Sequence, residues 1–458
     1  MDRWNQARLW GGASLAADAL SLFTLFMSLE PCRRPLCAAR RVYEAEKRLR
    51  LHEAVDKKAA EGILAELALK EPATRTIVFV ERPEDAARMA DRIEKAASPE
   101  RVALLTGTMR GWERDSLTKD STAFGSFQRS QTPPEPTWLV ATSAGEVGVN
   151  ISSERLVTML VESDHLLQRL GRLNRFGDQD GEPHRTGEAH VVYVPAKNPE
   201  KDGLLAQVKT LEYLRELAAM DGGPSVSCRR LHENPPGAET RSAEPRTARL
   251  EAWAIDLWSQ TTAGNGIAPP VEDWLHGKQD AEYPETTVAW REEVEFLVQP
   301  EVSREDRERA LEAYRLLPHE RLSEPSNRVQ EKLRQIAKIR GETHALFVSS
   351  DGDTSVLTVT ELAEETRDLR YGTVVLPPGC GGLKRGMFQA GESGEGTVYD
   401  VADASGCDEP RRRYLVTFNG ELWLWKRLGA TGESAEGPDP RDNAAVARMA
   451  RTLSFARH

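Results

Sequence analysis

The chain has 458 residues, 39% hydrophobic and 29% charged, with a formal net charge of -11. That composition excludes a disordered or fibrous protein and leaves room for about two to four globular domains. The acidic balance argues against a protein that is basic overall, as many nucleic-acid binders are, although a local basic face suffices for phosphate contact. Cys32, Cys37, Cys228, Cys380 and Cys407 form no CxxC pair. A disulfide framework or structural zinc site is therefore not expected, and the expected compartment is a reducing cytoplasm.

In chain order, residues 19–29 form an apolar run that follows Arg3 and Arg8. Asp18 precedes it, an arginine-rich stretch follows in place of a cleavage site, and the run is too short for a bilayer. No signal or membrane role is expected; residues 1–40 read as a buried helix or a foreign start to the pattern, within an ill-defined segment 1–56. Residues 41–53 suit a strand or a linker. Residues 57–69 have helical spacing through Ile63, Leu64, Leu67 and Leu69. The apolar run 76–80 predicts a strand buried on both faces. Pro83, Glu84 and Asp85 then open a helix that reaches Lys95.

Residues 101–105, 138–141, 156–161 and 190–194 predict further strands, with a loop at 121–137 and a helix at 163–173 capped by Ser163 or Asp164. This alternation predicts an α/β domain at 57–198, a parallel sheet with helices on both faces. A helical accessory region is expected at 199–340, with a polar linker at 233–249 and strongly helical composition at 304–340. A small α+β or β-rich tail is expected at 341–458, marked by short strands and glycine-proline turns from Gly372 onward.

Two segments carry chemistry. The first is QRLGRLNRFG at 168–177, in which Arg169, Arg172 and Arg175 stand three residues apart. That spacing puts neighbours on one helical face, on a helix and its exit. Guanidinium groups stay charged and grip phosphate oxygens as a fork. A solvated basic helix paired with Glu162 and Asp178 would give the same pattern. The second is ATSAGEVGVNI at 141–151, directly after a strand. Its small residues let a backbone approach a ligand closely, and its hydroxyls suit phosphates.

In this order the two segments resemble motifs V and VI of the C-terminal RecA-like lobe of superfamily-two helicases. TIVFVERPEDA at 76–86 resembles motif IV, and LTGTMRGWER at 105–114 occupies the place of the next nucleic-acid motif. The resemblance covers about residues 57–198. It implies that Arg172 and Arg175 are arginine fingers for ATP and that Gln168 helps grip the nucleotide. It also implies that Gly148 and Asn150 line the nucleotide edge of an interlobe cleft. Relatives often have aspartate where this chain has Asn150, and an amide cannot supply that charge. Arg82, Thr106, Gly107, Thr142 and Ser143 would meet the backbone of a single strand.

More narrowly, GEVGVNIS with QRLGRLNR resembles the helicase-nuclease of type I CRISPR systems, especially the I-U (I-G) branch. DLWSQTT, VEDWLHG and PETTVAWR between 256 and 291, TVVLPPGCGGL at 373–383 and VYDVADASG at 398–406 fit the same branch. Trp253, Trp258, Trp274 and Trp290 read as core residues before base-stacking ones.

No Gly-x4-Gly-Lys-Ser/Thr string, no DEAD or DEAH box and no His-Asp dipeptide occurs. The expectation is a second motor lobe without the first lobe, which would hold the ATP phosphates and magnesium, and without the family's HD nuclease. The chain alone should then neither hydrolyse ATP nor bind a metal. Expected partners are single-stranded DNA, a first RecA-like lobe elsewhere and a CRISPR effector complex, with no membrane. The alternatives are a single-strand or protein binding module without turnover, and a fragment of a non-CRISPR DEAD/DEAH-type helicase.

Overall fold

The structure is a computed structural model. It describes residues 42–70, 74–128, 135–177, 186–200, 203–243, 250–259, 284–364, 366–389 and 398–402. It also describes 414–418, 423–427, 434–437, 439, 441–442 and 445. The expectations for residues 1–40, Trp274 and VEDWLHG lie outside the described residues. Two compact units emerge: Met1–Gly107 with Asp120–Glu282, and Thr108–Lys119 with Tyr283–His458.

Unit 1 is built on strands β1 (Lys47–Glu53), β2 (Arg75–Phe79), β3 (Val102–Leu105), β4 (Thr137–Ala141), β5 (Arg155–Met159) and β6 (Gly187–Tyr193). They form one sheet in the order β1-β6-β5-β2-β4-β3, and every pairing is parallel. This is the α/β sheet that the alternating apolar runs predict. All of β2 is buried, as expected for a strand central in such a sheet.

Helix α1 (Lys57–Leu69) starts at Asp56, whose carboxylate accepts from the Ala59 N–H at 2.7 Å. Helix α2 (Pro83–Ala96) has Pro83 in its first turn, Glu84 and Asp85 beside it, and a buried stripe of Ala86, Met89, Ala90 and Ile93. The two helices pack on each other and on the sheet.

Two arginines begin strands and are nearly fully buried. Arg75 pairs with Glu154 (Nε–Oε1 3.0 Å), and Arg155 pairs with Glu188 (3.0 Å). Their charges sit at the amino ends of β2 and β5, so they are structural. Because the strands run parallel, the loops after β2, β3, β4 and β5 all emerge at the opposite, carboxyl edge. In open α/β sheets that edge holds ligands.

Three local expectations change. Part of the loop expected at 121–137 is a helix, α4 (Thr122–Gln128). It buries Ala123, Phe124 and Phe127 against the sheet, and that burial overrides its weak propensity. Gly111–Asp120 forms α3, just before it. The helix α5 (Ser163–Leu170) ends three residues early. Its N-cap position is Glu162, because Ser163 is already helical and accepts from Thr240 Oγ1 at 2.7 Å. Unit 1 continues through α6 (Leu205–Ala219), α7 (Cys228–Glu233) and α8 (Ala252–Ser259).

Unit 2 has a mixed five-stranded sheet of β7 (Glu285–Trp290), β8 (Leu322–Pro325), β9 (His344–Val348), β10 (Thr354–Thr358) and β11 (Thr373–Leu376), ordered β10-β9-β11-β7-β8. Alternate residues of β7 serve two cores. Val288 and Trp290 join Val329, Leu333 and Phe347, while Ala289 joins Val294, Leu346 and Val375. Strands from both sides of residue 340 share this sheet, so the division expected there falls inside one sheet. The strongly helical stretch below it is α10 (Arg304–Ala313) and α11 (Ser326–Arg340), with α9 (Val294–Leu297) preceding them. The segment 108–119, read from sequence as part of the lobe, belongs to this unit. Buried Arg110 donates to Glu113 at 2.7 Å and to the Tyr399 carbonyl at 2.8 Å, and its N–H donates to the Gly386 carbonyl at 2.6 Å.

Candidate functional site

The loop 142–154 after β4 and the segment 168–175 at the end of α5 are laced together by backbone. The Ser153 N–H donates to the Arg172 carbonyl at 3.0 Å, and the Asn174 N–H donates to the Ser153 carbonyl at 2.8 Å. The Arg175 N–H donates to Ser152 Oγ at 3.0 Å. Asn174 takes a positive φ of 43°, which turns the chain after Leu173. Helix α5 is anchored from below by Lys47. Its ammonium is buried and donates to the Leu170 carbonyl at 2.8 Å, an oxygen that also accepts from the Leu173 N–H at 3.2 Å. Burial holds that ammonium below its ordinary pKa.

The three arginines part company where the helix ends. Arg169 stays on the buried face of α5. Its Nε donates to Glu146 Oε1 at 2.7 Å, its Nη1 to Thr158 Oγ1 at 2.6 Å, and its guanidinium lies 5.1 Å from the centre of the Phe79 ring. Arg172, on the turn, donates from Nε to the Gly145 carbonyl at 3.1 Å and from Nη2 to the Glu146 carbonyl. It is 6% exposed and forms no ion pair among the described residues. Arg175, half-buried, donates from Nε to Asn150 Oδ1 at 2.8 Å. The one-face arrangement expected of the three therefore does not hold. Burial, aided by the neighbouring Arg175 charge, pushes Arg172 down to about 10, and burial lowers Arg175 as well. Arg172 remains a cation at neutral pH.

Asn150 thus meets Arg175, and Gly148 stands two residues before it with φ +81° and nothing within 4 Å of where a Cβ would sit. Gln168 is half-buried on α5, and its amide makes no hydrogen bond among the described residues. The residues expected to meet a strand all follow strands at the carboxyl edge. Arg82, Gly107 and Ser143 are exposed there, whereas Thr106 and Thr142 are buried.

Sequence reasoning missed Glu146 and His165, and it did not separate Arg169 from the other two arginines as a structural pair for Glu146. The Glu146 carboxylate is 2% exposed and takes donors from Arg169 and from His165 Nδ1, the latter also at 2.7 Å. Burial pulls its pKa upward, but the His165 hydrogen bond and the Arg169 charge outweigh that and hold it below the ordinary carboxylate value. The same hydrogen bond raises His165 above its ordinary value. A cleft of about 750 Å³ opens elsewhere in unit 1, lined by Glu46, Arg48, Ser225 and Arg229 among others, and takes in no residue of the two motifs. Among the described residues, no group of three or more His, Cys, Asp or Glu side chains is placed to hold a metal. No helix among them is long and apolar enough to cross a membrane.

A six-stranded parallel sheet whose carboxyl edge carries an arginine segment laced to the loop after its fourth strand is an α/β lobe of RecA-like build. Residues 73–178 match the family model for the C-terminal part of the CRISPR-associated nuclease/helicase Cas3. Among solved structures, Cas3 of T. fusca is similar at 15% identity and TM-score 0.42, covering 77% of this chain and 41% of that one. A structure described as a CRISPR-associated protein is similar at 16% identity and TM-score 0.38, covering 72% and 43%. The C-terminal domain of the DEAD-box protein Dbp5 is similar at 18% identity and TM-score 0.27, covering 37% and 86%. The chain spans less than half the length of the first two. No curated protein sequence matches it.

Proposed function

We propose that this lobe supplies Arg172 and Arg175 to the terminal phosphate of ATP. In this reading a first RecA-like lobe holds the other phosphates and magnesium, and the two lobes together translocate on single-stranded DNA in CRISPR interference, alongside an effector complex. One observation carries the reading. Among the described residues both guanidiniums are held by uncharged acceptors, the Gly145 and Glu146 carbonyls and the Asn150 amide, while the Glu146 carboxylate is taken by Arg169 and His165. Two guanidiniums that form no ion pair among the described residues fit a phosphate. An aspartate in place of Asn150 would cancel one of them; the amide does not.

ATP supplies the anionic terminal phosphate and its leaving group. Arg172, withdrawn against the loop, trades carbonyl oxygens for phosphate oxygens when the lobes close, and Arg175 follows from beside Asn150. Gln168 and Gly148 line the nucleotide edge. Arg82, Gly107 and Ser143 offer the strand its accessible surface, while buried Thr106 and Thr142 shape the loops that present them. Such backbone contacts weaken as salt rises.

The test mixes the full chain with a separately expressed first lobe. Single-strand-stimulated ATPase is expected, and Arg172→Ala should lower kcat by about 10³-fold. ATPase that Arg172→Ala leaves unchanged would show the finger assignment to be wrong. Salt-sensitive binding of single strands with no ATPase in the mixture would put a binding module in its place.

A further inference from the structure

We infer that the buried carboxylate of Glu146 is a positioning residue that sets the place of the Arg172 guanidinium. The inference deepens the reading above, because Arg172 is the group there assigned to phosphate. Residue 146 acts on the arginine segment at two points. Its side chain, twenty-three positions before Arg169 in sequence, clamps the buried face of α5 through Arg169 Nε at 2.7 Å. Its own main-chain carbonyl accepts from Arg172 Nη2, and the carbonyl just before it, on Gly145, accepts from Arg172 Nε at 3.1 Å.

Glu146 can hold this place because the loop is pressed onto β2. A Cβ at Gly145 would lie 2.9 Å from the Ala141 Cβ and 3.0 Å from the Phe79 ring, so only glycine lets the carbonyls descend to Arg172. Phe79 also underlies the Arg169 guanidinium, so the clamp and the carbonyl pair share one floor. His165 Nδ1, also at 2.7 Å, completes the carboxylate, and at 42% side-chain exposure it leaves the clamp reachable from solvent. If the carboxylate lets go, α5 and the loop lose their only charged link among the described residues, and the two carbonyls drift from Arg172. Among the described residues Arg172 itself forms no ion pair that would hold it otherwise.

The experiment reads Arg172 directly in the full chain, without any ATPase. Exchange of the Arg172 Nε–H with solvent is followed by NMR and assigned with Arg172→Ala. In the unaltered chain this proton, bonded to the Gly145 carbonyl, should be protected. Glu146→Gln should speed its exchange about tenfold, the scale of a lost charge-assisted hydrogen bond. His165→Ala, which removes only the more exposed donor, should give a smaller change in the same direction and keeps the test open if Glu146→Gln does not fold. Thr158→Val removes a different Arg169 contact and should leave the exchange unchanged, which separates positioning from general loosening. Exchange unaltered in both Glu146→Gln and His165→Ala, or raised equally by Thr158→Val, would overturn the inference. In the two-lobe mixture, Glu146→Gln should lower kcat with little effect on KM. A wild-type mixture without ATPase would sink the motor reading and leave the exchange result standing.

Discussion

Arg169, Arg172 and Arg175 stand three residues apart, yet each meets a different kind of partner: a carboxylate, a pair of carbonyls and an amide. The same division between structural and available charge recurs at His190. Its ring is buried, stacks on His52 at 5.2 Å and contacts it at 3.0 Å. Burial, opposed by the Glu188 charge and reinforced by His52 and Arg155, pushes His190 down to about 4, against 6.5 ordinarily. The folded chain therefore prefers this ring neutral, while the unfolded chain protonates it below its ordinary value. Its stabilising contribution is complete above pH 6.5 and disappears as pH falls from 6.5 towards 4. Urea unfolding across that window should show a loss of roughly 2–3 kcal/mol. His190→Asn should flatten the dependence; an unchanged slope would mean that other groups set it. Glu146, held low, loses its contribution only in more acidic solution.

At the scale of elements, the arginine segment depends on β6 as well as on its own loop. Leu173 is fully buried, and a Cβ on Gly187, the first residue of β6, would meet its Cγ at 2.8 Å. Leu173 lies between Arg172 and Asn174, both bonded to Ser153. Gly187→Ala should push Leu173 and strain that bridge, at a cost of about 1–3 kcal/mol. A melting temperature within a degree of the parent's would contradict this. The strands themselves were legible in the sequence because runs such as 76–80 and 138–141 are continuous and largely apolar, and parallel burial asks for that pattern. Helix α4 was not, because seven residues that include Gly125 show too few turns for periodicity to register. The end of α5 was overrun because Leu170 and Leu173 continue the helical spacing, while the bridge to Ser153 that stops the helix is a tertiary fact. The two motifs gave Arg172, Arg175 and Asn150 by their spelling. Glu146 carried no local signal, since what makes it matter is a partner twenty-three positions away.

For the whole molecule, composition suggested several domains but misplaced their seams. Helical composition at 304–340 hid the fact that β7 and β8 belong to a sheet completed by β9, β10 and β11, because strand pairing over such separations leaves no mark on a local window. The second unit has its own buried charge cluster. Arg291 is fully buried and donates to Glu320 at 2.7 Å and to Glu293 at 2.8 Å, with the Tyr314 and Arg315 carbonyls taking its remaining donors. Glu320 is itself 1% exposed. Removing a partner from such a cluster leaves a cation that water cannot reach, and Glu293 alone cannot replace a two-point contact. Glu320→Ala should therefore destabilise the second unit by about 3–5 kcal/mol. Hydrogen exchange is the suitable readout, because it resolves the two sheets separately. Amides of β7, β8 and β9 should lose protection, while those of β2 and β4, whose core contains none of these residues, should keep it. Equal loss in both sheets would mean that the two units unfold as one body.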